Sequence, residues 1–168
     1  MADTTFLKDV VEPYVREWLA KNFGRPFQPE FLPLTRVYGK PAVHEFDAVS
    51  SDGKIVCGIK TASWTTSGGN RGDGKIKGAY AEIYFLDHVE AEQKFLVLTD
   101  EEFYLNLATD LSGKLAADVD LLLCKLPDDL EKEVKRGPHD LPPRTRFLRF
   151  PIWADDFGWR KLGPLGSW

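Results

Sequence analysis

Two apolar segments joined by a tight-turn sequence constrain the fold of this chain more than any other feature. Residues 43 to 49 and residues 54 to 62 each have the length and composition of a β-strand, and Ser51 to Lys54 between them supply turn chemistry. An Asp-Gly pair between two such segments is typical of a hairpin. We therefore predict a β-hairpin in this part of the chain.

Periodicity and turn residues predict the remaining elements. Apolar residues at intervals of three and four indicate a helix from residue 6, preceded by capping residues 3 to 5, divided or kinked at Pro13 and ended by Gly24. Residues 25 to 41 contain four prolines and are predicted to form an irregular connection. The other predictions are a flexible loop over 65–74, helices over 76–89, 100–111 and 128–136, strands over 94–99 and 119–124, a loop over 138–143, and an edge strand or packing arm over 147–153.

This order of elements predicts an α/β protein with a mixed central sheet and flanking helices. A chain of 168 residues, 43% of them hydrophobic, is long enough for one core and short for two. We therefore expect a single domain over 1–168, with a core at about 6–111 and a C-terminal elaboration at about 112–168.

Composition limits the compartment and the partners. The sequence has no signal-like N-terminus and no apolar run that could span a membrane, so we expect a soluble, cytoplasmic protein without a membrane partner. Cys57 and Cys124 lie in strand-like apolar runs, which favours buried free thiols. Because the net charge is −4, any nucleic-acid site must be local rather than spread over the surface.

Acids and a lysine fall on the two predicted hairpin strands. Glu45 and Asp47 occupy alternate positions, which would place them on one face, and Lys60 lies near the end of the partner strand. Paired carboxylates beside a lysine suit Mg²⁺, which prefers oxygen ligands. The same pattern also fits the solvated face of an amphipathic edge strand.

The sequence of these strands resembles the PD-(D/E)XK, restriction-endonuclease-like nuclease superfamily over residues 43 to 99. His-Glu-Phe-Asp ending at Asp47, and Gly-Lys-Ile-Val-Cys-Gly-Ile-Lys-Thr around Lys60, look like that superfamily's pattern of a hydrophobic residue and Asp, a turn, and Gly-x-Ile-Val-x-Glu-Ile-Lys-Thr. The resemblance implies an αβββαβ core in which Asp47 binds metal and Lys60 is the catalytic lysine.

The sequence departs from this pattern at Gly58, where the superfamily has an acid two residues before the lysine. Some branches of the superfamily recover the carboxylate from the following helix, and Glu82 on the predicted helix is the candidate for that catalytic and metal-binding role. Glu45 is a second candidate ligand, and Glu12 or Glu17 on the first helix is a candidate accessory acid. Each of these acids also fits an ordinary surface position.

A local excess of positive charge follows the hairpin. Four residues in or near the glycine-rich loop are candidates for nucleic-acid binding, three cations to contact phosphates and a tryptophan to stack on a base: Trp64, Arg71, Lys75 and Lys77. A polar loop beside a buried tryptophan explains the same residues equally well. A second cationic group comprises Arg144, Arg146 and Arg149.

The sequence therefore supports two functional expectations. The first is a metal-dependent endonuclease, a hydrolase of phosphodiester bonds in DNA or RNA that uses Mg²⁺ or Mn²⁺. The second is a catalytically degenerate nuclease-like domain that binds nucleic acid or another protein. The aromatic C-terminal residues suit either a homodimer interface or the core of a monomer, and the histidines, which lack zinc-ligand spacing, are interpreted as ordinary polar or packing residues.

Overall fold

A five-stranded mixed sheet forms the centre of the computed structural model, which describes residues 6 to 35, 42 to 65, 69 to 70, 72 to 115 and 118 to 136. The strands follow chain order across the sheet: β1 (Phe27–Leu34), β2 (Ala42–Ser50), β3 (Ile55–Lys60), β4 (Gln93–Leu98) and β5 (Val119–Leu123). The first three strands are antiparallel neighbours, and β4 and β5 run parallel to β3. The predicted hairpin is thus confirmed as the β2–β3 pair.

Helices cover both faces of the sheet and confirm the predicted α/β class. They are α1 (Glu12–Phe23), preceded by a π-helical turn (Leu7–Val11), then α2 (Asp73–Asp87), α3 (Glu101–Asp110) and α4 (Asp128–Arg136). The helix α1 and the side chains of α4 pack with one apolar core, whereas α2 and α3 pack with the other. The described part of the chain therefore has three layers, with the sheet between two helical layers.

Local sequence signals explain where several elements end. Gly24 ends α1 with a positive φ of 68°, the left-handed conformation that favours glycine after a helix. Asp100 begins α3, because its side chain accepts a hydrogen bond from the Phe103 N–H. Cys57 and Cys124 are buried free thiols in the core beside α1, as predicted.

The irregular connection predicted for residues 25 to 41 is wrong over its first part, because Phe27–Leu34 forms β1. Its prolines are compatible with a strand at this place, since β1 lies at the edge of the sheet, where β2 is its only neighbouring strand among the described residues and a single bridge joins Leu34 to Val89. Pro29 lies at an irregularity of the pairing, where no regular ladder bond is required. A strand rich in proline was therefore missed because its edge position cannot be read from its composition.

The strand β2 contains one residue more than β1 opposite this irregularity. Gln28 pairs with Val49 and Glu30 pairs with Phe46, so a step of two residues on β1 matches a step of three on β2. Phe46 and Val49 accordingly pack into the same core. The bulge interrupts the two-residue alternation of β2 between Phe46 and Val49.

Some predictions concern residues outside the described part of the chain. They are the loop at 138–143, the strand or arm at 147–153, the cationic group Arg144, Arg146 and Arg149, the aromatic C-terminus, and Arg71 in the glycine-rich loop. Among the described helices, none combines the length and apolar character needed to cross a membrane.

Candidate active site

The candidate site is centred on Gly58, a buried residue in the middle of β3. A Cβ atom added to this glycine would lie 2.3 Å from Cγ of Glu82 and 2.9 Å from its Cδ and Oε1. Real side-chain contacts are rarely closer than about 3 Å, so the Glu82 side chain fills the space that a residue 58 side chain would need. The Glu82 carboxylate of α2 thus lies beside Gly58, the position on β3 that has no side chain of its own.

Two basic side chains hold this carboxylate in place. The Lys60 Nζ donates to Glu82 Oε2 at 2.7 Å, and His44 Nε2 lies 3.2 Å from Glu82 Oε1. Glu82 is only 7% exposed, so its charge needs such partners. Three elements, β2, β3 and α2, therefore meet at a single carboxylate.

Asp47 lies at the point where regular pairing between β2 and β3 ends. The ladder between these strands comprises Ala48 with Cys57 and Val49 with Val56. Beyond it, Oδ2 of Asp47 accepts a hydrogen bond of 2.7 Å from the backbone N–H of Ile59. A carboxylate has thus taken the place of a backbone acceptor, which fixes it beside the strand that carries Lys60.

Burial raises the pKa of the Asp47 carboxyl above its ordinary value of 3.8. The Ile59 N–H and the positive charges of Lys60 and Arg16 oppose this effect, whereas the negative charge of Glu82 adds to it. Asp47, Lys60 and Glu82 therefore lie within electrostatic reach of one another. Two carboxylates whose negative charges repel each other are favourable partners for a cation.

The helix α1 supplies two further charged groups next to Asp47. Arg16 Nη1 donates to the backbone oxygen of Asp47 at 2.9 Å and also lies 3.5 Å from Oε2 of Glu12. Burial raises the pKa of Glu12, and the charge of Asp47 raises it further. Of the two accessory acids suggested by the sequence, Glu12 lies near Asp47, whereas Glu17 is exposed on the outside of α1.

The remaining candidate residues are placed differently. Glu45 is exposed on β2. Trp64 is half-buried and its ring lies against Phe103 at a centroid distance of 5.4 Å. Lys75 Nζ donates to two backbone oxygens, of Ser63 at 3.2 Å and of Thr65 at 3.0 Å, so it holds the segment after β3. Lys77 is exposed on α2.

Sequence reasoning missed two residues of this site. From the sequence, His44 is expected to be an ordinary polar or packing residue, and Arg16 has no predicted role. The signal for His44 was its position on the Asp47 strand, three residues before that acid, but a single histidine has no spacing pattern to identify it. Arg16 gave no signal in the sequence, because its partner is a backbone oxygen, that of Asp47, 31 residues away along the chain.

The arrangement offers hard oxygen ligands and a cationic donor in one place. Asp47 lies on β2 and Glu82 lies on α2, and Lys60 on β3 contacts Glu82. Within the described ranges, no group of three or more His, Cys, Asp or Glu side chains is placed to hold a metal ion. Chemically, Asp47 and Glu82 offer carboxylate oxygens, which are hard ligands, and Lys60 can donate hydrogen bonds to an anion.

Comparisons of the chain with known protein families, with curated proteins and with solved structures found no match. The functional interpretation therefore depends on the geometry around Gly58, Glu82 and Asp47.

Proposed function

We propose that this protein is a divalent-metal-dependent nuclease that hydrolyses phosphodiester bonds of DNA or RNA. The observation that carries the proposal is the position of the Glu82 carboxylate, which lies over Gly58 with the Lys60 ammonium 2.7 Å away. In the PD-(D/E)XK pattern that the sequence resembles, an acid stands at the position of Gly58. Glu82 brings a carboxylate to that position from the neighbouring helix.

The order of elements supports the same proposal. The chain runs through a helix, three antiparallel strands, a second helix and a strand parallel to the third. The resemblance implies an αβββαβ order for the superfamily core, and this order of elements supports the proposal, with β1 as the strand that the sequence pattern did not reveal. Asp47 and Lys60 fall on the second and third of these strands, as the resemblance implies.

Mg²⁺ or Mn²⁺ fits the donor set of the site. Mg²⁺ is commonly bound by one or two carboxylates and completes its coordination with water and substrate phosphates, so a group of three protein ligands is not required. Asp47 and Glu82 would hold the ion. When bound there, such an ion would supply Lewis acidity for a phosphoryl oxygen and for a water molecule.

The protein's own residues orient and stabilise the reacting groups. The Ile59 N–H and Arg16 fix the side chain and the backbone of Asp47. Lys60 has three N–H donors and a side chain that is 26% exposed, so it can reach a phosphate oxygen while it contacts Glu82. A fixed ammonium at this place stabilises the negative charge that develops on the phosphate during hydrolysis.

Cleavage of labelled DNA and RNA with Mn²⁺ or Mg²⁺ tests the proposal. We expect cleavage by the wild type, loss of cleavage in Asp47→Asn, and a loss of on the order of 100-fold or more in Lys60→Met. Lys54→Met is the matched control, because Lys54 pairs with Glu92 at 2.7 Å before the other end of β3. It should cleave as the wild type does.

The opposite results have a defined meaning. A folded wild type that neither binds Mn²⁺ nor cleaves any of these substrates would refute the nuclease proposal. It would support the alternative, a nuclease-like domain that binds nucleic acid or another protein without catalysis. Equal losses in Lys60→Met and Lys54→Met would show that Lys60 acts through stability alone.

A further inference from the structure

We infer that His44 is a positioning residue, which fixes the Glu82 carboxylate in the orientation that binds metal through a hydrogen bond from its Nε2. The inference rests on the proposed function, since it assigns a role within the same site. It concerns a residue on β2 that the sequence pattern did not indicate.

A carboxylate borne by a helix needs more support than one borne by the strand itself. Glu82 has three side-chain torsions and must extend from α2 across to β3, and freezing such a side chain costs up to about 2 kcal/mol of conformational entropy. A metal-binding side chain whose position varies by about 1 Å binds the metal poorly. Contacts that remove this freedom are therefore part of the site.

The two oxygens of Glu82 are held separately. Lys60 contacts Oε2, and His44 contacts Oε1. An ionised carboxylate only accepts hydrogen bonds, so the Nε2 of His44 must carry the proton in this contact. Because each oxygen has a different partner, the plane of the carboxylate is defined as well as its position.

The ring of His44 is itself fixed by two aromatic neighbours. It stacks on Phe85 with a centroid distance of 3.9 Å and an interplanar angle of 18°, and it meets Phe46 edge-on at 4.8 Å. Phe85 lies one helical turn after Glu82 on α2, and Phe46 lies on the same strand as His44. Phe85 on α2 and Phe46 on β2 thus set the orientation of the His44 Nε2.

Two substitutions separate the hydrogen bond from the packing. His44→Phe keeps an aromatic ring between Phe85 and Phe46 but removes the donor. His44→Gln loses the ring but returns an N–H donor at about the position of Nε2. His88→Phe is the control, because the His88 ring also packs on an aromatic residue of α2, Tyr84, at 4.1 Å, without contacting Glu82.

The measurement is the dissociation constant for Mn²⁺, determined by calorimetry on the folded variants. Loss of a partner of a metal-binding side chain commonly weakens metal binding by about 10- to 100-fold. We expect a loss in this range for His44→Phe, recovery to within about threefold of wild type for His44→Gln, and no change for His88→Phe. Wild-type affinity in His44→Phe, or equal losses in His44→Phe and His44→Gln, would overturn the inference.

A crystal structure of metal-free His44→Phe separates this inference from the proposed function. If the wild type fails to bind Mn²⁺, the nuclease proposal fails, but the position of Glu82 still tests the role of His44. A Glu82 side chain that leaves Gly58 or takes several conformations in His44→Phe would support the positioning role. An unchanged Glu82 side chain over Gly58 would overturn it.

Discussion

Replacing Gly58 by alanine should destabilise the protein only while Glu82 is present. The added methyl group would lie 2.3 Å from Cγ of Glu82, a separation at which one of the two groups must move. Glu82 must therefore leave its position and release Lys60 and His44. In a Glu82→Ala background the three atoms nearest to this methyl group, Cγ, Cδ and Oε1 of Glu82, are absent.

The magnitude follows from the contacts that are lost. A hydrogen bond to a charged group contributes about 1.5–3 kcal/mol when it is well buried. The side chains of Lys60 and His44 are 26% and 23% exposed and regain water, so we expect a smaller combined loss of about 1–3 kcal/mol in the free energy of unfolding. In the Glu82→Ala background, Gly58→Ala should cost nothing or stabilise by up to about 1 kcal/mol, because alanine restricts the unfolded chain more than glycine does.

Urea unfolding of the four proteins of this double-mutant cycle, with EDTA present, measures the coupling directly. Gly78→Ala provides a control, because Gly78 lies on α2 with no atom within 4 Å of an added Cβ, and it should show no coupling to Glu82→Ala. If Gly58→Ala has the same effect with and without Glu82, the close approach of the two residues is wrong. The geometry of the site would then lose its basis.

Three further predictions concern separate parts of the molecule. Folding raises the pKa of Asp47 above 3.8, so its ionised form is disfavoured in the folded state. In the metal-free protein the contribution of Asp47 to stability should therefore fall as pH rises from about 4 through the raised pKa, by about 1.4 kcal/mol for each pH unit between its unfolded and folded pKa values. Thermal melts should show that Asp47→Asn removes this contribution. Burial raises the pKa of the Cys57 thiol, and it raises the pKa of the Cys124 thiol to about 12. Both thiols should therefore resist alkylation at pH 8 in the folded protein and react after denaturation. Rapid modification of the native protein would contradict their burial. Lys75→Met should lower the free energy of unfolding by about 1–2 kcal/mol, because Lys75 donates to two backbone oxygens. Lys77 is exposed, so Lys77→Met should change the free energy of unfolding by less than about 0.5 kcal/mol. Equal effects of the two substitutions in urea titrations would refute the structural role of Lys75.

Elements with local sequence signals were predictable, and those defined by distant partners were not. The helix α3 has its own capping acid, Asp100, and the β2–β3 hairpin has its Asp-Gly turn. The strand β1 has no comparable signal, because its prolines are tolerated only through an edge position that depends on the rest of the sheet. Tertiary contacts, rather than composition, therefore determine that Phe27–Leu34 forms a strand.

The candidate site shows the same division. Glu82 could be proposed from the sequence because a family pattern indicated a missing acid at Gly58, and the structure describes the two residues in contact. Strand alternation places Glu45 and Asp47 together, but the exposure of Glu45 and the hydrogen bond from the Ile59 N–H to Asp47 depend on tertiary contacts. His44 depends on contacts with α2, which no spacing in the sequence reports.

The central claim is that a carboxylate over residue 58 creates a metal site, whichever element carries it. Calorimetric titration of Mn²⁺ into wild type, Glu82→Ala and the double variant Gly58→Glu/Glu82→Ala tests this claim most directly. We predict saturable binding by the wild type, its loss in Glu82→Ala, and its recovery in the double variant, where the strand itself carries the acid into the vacated space. No binding by the wild type, or unchanged binding by Glu82→Ala, would contradict the account.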